Sequence, residues 1–164
     1  MSAGPFFGKY RGTVRNNVDP EMVGQLQVEV PDIGGNMVLS WAKPCLPVGG
    51  PNMGVFTVPP VGAGVWVEFE RGNPDHPIWV GGYYSEADVP VLARTVPPGT
   101  NGITLQTQAG NGIVISDTLG VLITLANGTM LQLTPAGTLS VTGTAAVNVL
   151  APMVDVNGGA LQVT

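Results

Sequence analysis

The chain has 164 residues, enough for one domain or two small ones, and its formal net charge is −5 with an estimated pI of 4.5. This acidic balance argues against a phosphate-binding surface, so we expect no nucleic-acid partner. The single cysteine predicts no internal disulfide. No apolar run approaches 18 residues, so we expect no membrane span. The sequence also has no signal-peptide pattern, which favours assembly in the cytoplasm.

Composition divides the chain into two segments. Residues 1–99 contain all six bases, nine of the eleven acids and every aromatic residue. Residues 100–164 contain no base, no aromatic residue and only two acids, Asp117 and Asp155. A Pro/Gly-rich stretch lies where the composition changes. We therefore predict a first domain over 1–95, a linker over 96–102 and a second domain over 103–164.

The first segment predicts short strands separated by Gly- and Pro-containing turns. The predicted strands are 10–15, 25–30, 39–42, 55–58, 65–70 and 78–83. No amphipathic helix is expected, and residues 86–93 could form one turn at most. Five or six short strands in about 85 residues are typical of a small closed barrel. We favour an oligonucleotide/oligosaccharide-binding (OB) type of barrel, although an SH3-like barrel has a similar pattern.

The second segment repeats one short pattern, which is an apolar residue, a middle residue and another apolar residue followed by a turn. The eight copies are 103–105, 113–115, 123–125, 131–133, 139–141, 147–149, 154–156 and 161–163. The middle residue is polar in seven of them. Alternation with period two is typical of half-buried strands. The short repeat predicts a stack of single strands joined by tight corners.

A ribbon of such short strands buries little apolar surface by itself. Three chains wound about one axis would supply shared walls and a dry centre, so we predict an intertwined trimeric β-helix, or β-prism; a monomeric β-solenoid is the alternative. The apolar positions of the eight copies are then the predicted trimer core. They are Ile103, Leu105, Ile113, Ile115, Ile123, Leu125, Leu131, Leu133, Leu139, Val141, Val147, Val149, Val154, Val156, Leu161 and Val163.

Several runs of the first segment resemble a known family. They are Gly8–Val14, Val18–Pro20, Gly24–Asp32, Trp41–Ala42 and Pro59–Gly81. The last run has the pattern P-P-x-G-x-x-V-x-V-x-F-E-x-G-(D/N)-P-x-x-P. These runs are similar to the N-terminal barrel of phage baseplate assembly protein V, a barrel that also occurs in cell-puncturing phage spikes and in the VgrG proteins of secretion systems.

The resemblance implies a structural role in a contractile injection machine, either a phage tail or a phage-tail-like particle. It implies a homotrimer whose C-terminal segments form a needle and whose barrels seat on a baseplate hub protein, next to inner-tube components. The apolar C-terminal end suggests a docked conical tip protein of the PAAR type. The chain has no lysozyme-sized insertion and no paired histidines near its end, so it resembles a short, separate spike subunit.

Candidate reactive residues give no catalytic constellation, so we predict no enzyme activity, no cofactor and no metal site. The Asp75-His76 pair lies between prolines and predicts a rigid turn, and Cys45 is predicted to be small and buried. Glu68 and Glu70 are expected to share one strand face. The three tryptophans are expected in the barrel core or in the contact with the hub.

Two alternatives remain open at this stage. One is an adhesin-like trimer whose barrel binds carbohydrate or nucleic acid through exposed tryptophans. The other is a hydrolase, which the residue pattern does not support. The basic residues Lys9, Arg11, Arg15, Lys43 and Arg71 are too dispersed for a nucleic-acid track, although they could pair with acidic groups of a partner.

Overall fold

A computed structural model describes residues 5–149 of the chain. The chain divides between Val89 and Pro90 into two compact units. Within the described residues, strands dominate both units and no helix is long and apolar enough to span a membrane. The prediction of an all-β fold is therefore confirmed.

The first unit is a closed five-stranded barrel with the strand order β1-β2-β3-β7-β6. All neighbouring strands are antiparallel except β3 and β7, which are parallel. Closure leaves no free sheet edge, which stabilises a sheet of such short strands. The elements are β1 (Tyr10–Asn16), β2 (Leu26–Glu29), the one-turn helix α1 (Pro31–Gly34), β3 (Val38–Pro44), the small hairpin β4 (Gly49–Gly50) and β5 (Met53–Gly54), β6 (Gly64–Phe69) and β7 (Pro77–Tyr83).

The barrel core follows from period-two alternation along the strands. Along β6, for example, Val65, Val67 and Phe69 are buried while Trp66 and Glu68 are only half-buried. The buried core cluster consists of Val14, Leu26, Val28, Val30, Ala42, Val65, Val67, Phe69 and Trp79. Aliphatic residues dominate this core because β-branched side chains pack well on pleated strands.

The strand predicted over residues 55–58 is wrong, although the other five strands predicted for this segment agree with the structure. These residues have no strand assignment, and the nearby pairing is only the two-residue hairpin β4–β5. The physical reason is the closed barrel. β3 pairs with β7, and β6 pairs with β1 and β7, so the barrel offers no edge to another strand.

The second unit contains an antiparallel meander with the strand order β12-β11-β10-β9-β8. Each strand pairs with the next one along the chain, so the connections are short corners. A 3₁₀ helix (Val91–Thr95) precedes the sheet. The strands are β8 (Gly102–Gln106), β9 (Gly112–Ser116), β10 (Gly120–Thr124), β11 (Met130–Leu133) and β12 (Leu139–Thr142).

Three of the corners have the same hydrogen-bonding pattern. They are residues 107–111, 125–129 and 134–138. In each corner the backbone N–H of the first residue donates to the C=O of the fifth residue, and the N–H of the fourth residue donates to the C=O of the first. The fourth residue is glycine each time, with φ between +83° and +91°. Glycine adopts this left-handed conformation without steric cost, which explains why glycine recurs at the fourth position of these corners.

The 3₁₀ helix packs against the first two strands of the sheet. The Leu92 backbone N–H donates to Oε1 of Gln106 at 2.8 Å. A Cβ on Gly112 would lie 2.5 Å from Cδ1 of Leu92, so this glycine makes room for the leucine. Residues 91–95, which were predicted to end the first domain, thus pack within the second unit.

Candidate functional site

One face of the C-terminal sheet is formed entirely by aliphatic side chains. Residues directly opposite each other on neighbouring antiparallel strands lie on the same face, and the register pairs Ile103 with Ile115, Ile113 with Ile123 and Leu131 with Val141. We call this surface the aliphatic face. Its ten members are Ile103, Leu105, Ile113, Ile115, Val121, Ile123, Leu131, Leu133, Leu139 and Val141.

The aliphatic face is uncovered in the single chain. Eight of its ten side chains are exposed, and the exposed fraction reaches 61% for Ile103 and 63% for Leu139. No charged residue interrupts it. Soluble monomers rarely leave so many contiguous large aliphatic side chains in water, so a surface of this kind indicates a protein–protein contact.

The opposite face of the sheet has a different character. Along the strand centres it presents Thr104, Val114, Leu122, Gln132 and Ser140. Val114 is fully buried, whereas Gln132 is half-buried and Ser140 is exposed. The polar residues Gln132 and Ser140 on this opposite face can remain in contact with water. Of the two faces of the sheet, it is therefore the aliphatic face that requires a partner.

Nine of the sixteen predicted core positions lie on the aliphatic face. Leu125 follows the last residue of β10, Thr124, and has no cross-strand partner that would assign it to a face, and Val147 and Val149 lie outside any described strand. Val154, Val156, Leu161 and Val163 lie outside the described residues. Val121 was missed. The run Val121-Leu122-Ile123 is apolar throughout, so alternation could not assign its faces from sequence.

The three tryptophans occupy different environments, and only Trp79 lies in the barrel core. The residue is 4% exposed and its Nε1–H donates to the Gly24 carbonyl at 2.9 Å. Trp66 is half-buried on the outer surface beside Tyr83, with ring centroids 5.2 Å apart. The Arg11 guanidinium lies 5.7 Å from both ring centroids. These outer rings therefore already contact a cation within the chain.

Comparison with protein families matches both units. Residues 10–84 match the type VI secretion system/phage-baseplate injector OB domain. Residues 98–162 match the phage baseplate V C-terminal trimerisation domain. The chain belongs to the baseplate spike protein family. The OB-type barrel prediction is confirmed, and the trimerisation domain contains the whole aliphatic face. No individual curated protein matches the chain.

In this spike protein the Asp75-His76 pair lies in a rigid turn between β6 and β7. The Glu70 N–H donates to the His76 carbonyl at 3.0 Å, and the His76 N–H donates to the Asn73 carbonyl at 3.0 Å. His76 Nδ1 is 3.8 Å from Glu70 Oε2, and both side chains are mostly exposed. These contacts are those of a structural hairpin turn.

Two expectations about reactive residues are wrong. Glu68 and Glu70 do not share a strand face, because β6 ends at Phe69 and Glu70 begins a 3₁₀ turn; Glu68 instead accepts from Lys9 Nζ at 2.6 Å. Cys45 is exposed rather than buried. Ala42 is buried in the barrel, and side chains alternate between the two faces of a strand. Cys45 is three residues after Ala42, so its side chain points outward. Among the described residues, no group of three or more metal-ligating side chains occurs.

Asp19 organises the loop between β1 and β2 of the spike protein. Its carboxylate accepts backbone N–H groups of Glu21 at 3.0 Å, Val23 at 2.8 Å and Gln25 at 2.9 Å. Desolvation alone would raise the pKa of this carboxyl, but the donated N–H groups together outweigh it and hold the pKa below 3.8. Apart from the family resemblance, no sequence pattern singled out this residue.

Replacing Asp19 should have a pH-dependent effect on stability. The lowered pKa means that the ionised carboxylate stabilises the folded state above pH 3.8 and that this contribution is lost as the pH falls through the folded-state value. Asp19→Ala should therefore lower the melting temperature at pH 7, and the difference from wild type should shrink below pH 3.8. Thermal unfolding followed by circular dichroism measures this, with the exposed Asp75→Ala as a control. A pH-independent difference would contradict the assignment.

Proposed function

We propose that this protein is the trimeric central spike of a contractile injection machine and that it acts mechanically rather than as an enzyme. The single observation that carries the proposal is the uncovered aliphatic face, which lies within the matched trimerisation domain. An injector OB domain joined to such a domain is the arrangement expected of a spike.

Burial of the aliphatic face would make a large favourable contribution to the free energy of assembly, which must exceed the entropy lost on association. A large aliphatic side chain contributes roughly 2 kcal/mol on full burial, so a side chain that is already half-covered contributes about 1 kcal/mol. Ten such side chains then contribute roughly 10 kcal/mol for each chain, which is comparable to the whole stability of a small domain. Three copies that turn this face toward a common axis would share one dry core and keep the polar faces in water.

The finer assignments follow from this role. We propose that the barrels seat on a baseplate hub and plug the inner tube, as in VgrG-like spikes, and that the prism transmits the contraction force and pierces the target envelope. A PAAR-type tip would cover the C-terminal end. The predicted domains, 1–95 and 103–164, and the intertwining of the three chains are part of this proposal. So are the predicted core positions, with Val121 added to them.

The oligomeric state tests the proposal directly. Light scattering coupled to size-exclusion chromatography should give a mass about three times the 16.9 kDa chain. The aliphatic face is the physical reason, since a single chain leaves it in water. A monodisperse monomer at micromolar concentration would exclude the trimeric spike. Capture of the hub protein by the trimer, and by no monomeric variant, would then test the seating on the baseplate.

A further inference from the structure

Two loops at one end of the barrel form a second exposed apolar surface, separate from the aliphatic face. They are the β1–β2 loop (17–25) and the β3–β6 loop (45–63). The most exposed side chains are Val18 at 78%, Met22 at 82%, Met53 at 64% and Phe56 at 61%. We call this the apolar loop surface. Its members are Val18, Met22, Val23, Val48, Met53, Val55, Phe56, Val58 and Val61.

The two loops lie side by side and are held together. The Asn17 side-chain amide donates to the Pro59 carbonyl at 3.1 Å. The Phe56 ring lies over Gly24, where an added Cβ would be 3.3 Å from the ring. The Asp19 carboxylate fixes the β1–β2 loop from within. Met22 lies between these contacts with a φ of +54°, a strained conformation for a residue other than glycine, and its side chain is 82% exposed.

The chemistry of this surface fits a stable homo-oligomeric contact. The two loops contain only two charged residues, Asp19 and Glu21, and no Lys, Arg, Trp or Tyr. Asp19 is used inside its loop, and Glu21 accepts from the Gln25 side chain at 3.0 Å. A nucleic-acid or anionic membrane surface would require cations. Interfaces between identical subunits are instead apolar, low in charge and enriched in Met and Phe.

Chain connectivity favours a second copy of this protein as the occupant. The register pairs Gly64, which follows the β3–β6 loop, with Tyr83, where β7 ends. The chain therefore leaves the barrel at the end that carries the apolar loop surface. Only residues 84–97, a reach of at most about 50 Å, separate this end from the matched trimerisation domain. Trimerisation would thus tether three copies of the surface at a high local concentration.

We propose that the apolar loop surface is a second interface of the trimer, at which the β1–β2 and β3–β6 loops of each barrel pack against neighbouring copies. This inference rests on the proposed trimer and adds a contact between barrels to the contact between prisms. It assigns a role to the ordered, apolar loop tips that the aliphatic face does not explain.

Methionine oxidation tests this proposal in the full-length protein. Met22 and Met53 lie in the two loops, whereas Met37, which is 70% exposed, lies at the opposite end of the barrel. Purified protein is treated with hydrogen peroxide, and sulfoxide formation at each methionine is followed by mass spectrometry. In the trimer, Met22 and Met53 should oxidise several-fold more slowly than Met37. In a monomeric variant such as Val141→Asp, all three should oxidise at similar rates.

The possible outcomes separate this inference from the proposed function. A trimeric mass together with equal oxidation of Met22, Met53 and Met37 would overturn the barrel contact and leave the trimer intact. A monomeric mass of the wild type would overturn the proposed function itself. Phe56→Asp should accelerate Met22 oxidation within a trimer that the prism still holds, whereas the matched Met37→Asp should not. Equal protection of Met22 in both variants would also contradict the inference.

Discussion

Val141→Asp should convert the protein from a trimer into a monomer. Val141 lies on the aliphatic face, opposite Leu131 on β11, and is 56% exposed in the single chain. In the proposed trimer the same position lies in the dry core, where three symmetry-related carboxylates would be close together. Burying unpaired charges costs several kcal/mol each, which exceeds what the lost aliphatic contacts alone would cost. Light scattering should therefore give a mass near one 16.9 kDa chain.

The neighbouring residue supplies a matched control for this substitution. Ser140 lies on the same strand, β12, but its side chain points to the opposite face and is exposed. Ser140→Asp adds the same charge one position away, so it should leave the trimer intact. Leu133→Asp and Gln132→Asp form a second such pair on β11. If both members of each pair were trimeric, the aliphatic face would not be the trimer core.

The sequence predicted the barrel well because its strands alternate over several residues. Along β6 the buried residues Val65 and Val67 flank the half-buried Trp66, so the alternation identified the strand but left open whether Trp66 lies in the core or in a contact with the hub. Residues 55–58 show the limit of this reasoning. Their β-branched and aromatic residues are equally typical of a strand, but whether a strand forms depends on an available partner edge, which is a property of the whole barrel.

The candidate site was predictable to the extent that polar residues mark one face. The polar residues Thr104 and Gln132 indicated which side chains of β8 and β11 lie on the opposite face. The run Val121-Leu122-Ile123 in β10 is wholly apolar, so the sequence did not indicate that Val121 belongs to the aliphatic face. The role of Asp19 could not be predicted, because it depends on three backbone N–H groups converging on one carboxylate. Cys45 was assigned wrongly since apolar neighbours in sequence do not determine the direction of a side chain at a strand end.

Trp79→Ala should strongly destabilise the barrel. Trp79 is the largest side chain in the core cluster and is 4% exposed, so its removal leaves a cavity that short, hydrogen-bonded strands can fill only in part. Truncation of a buried aromatic residue costs about 3–5 kcal/mol, and loss of the indole N–H leaves the buried Gly24 carbonyl without its partner. Denaturant unfolding followed by circular dichroism should show the loss as a lower midpoint.

Trp79→Phe separates the two contributions to this loss. Phenylalanine keeps most of the packing but cannot donate to the Gly24 carbonyl, which belongs to the loop that Asp19 orders. Its cost should be about 1–3 kcal/mol, close to that of one unsatisfied buried acceptor together with a small cavity. If Trp79→Phe were as destabilising as Trp79→Ala, the hydrogen bond to the loop, and not the filling of the core, would be the main contribution of this side chain. That result would place the stability of the barrel in the connection between β7 and the β1–β2 loop.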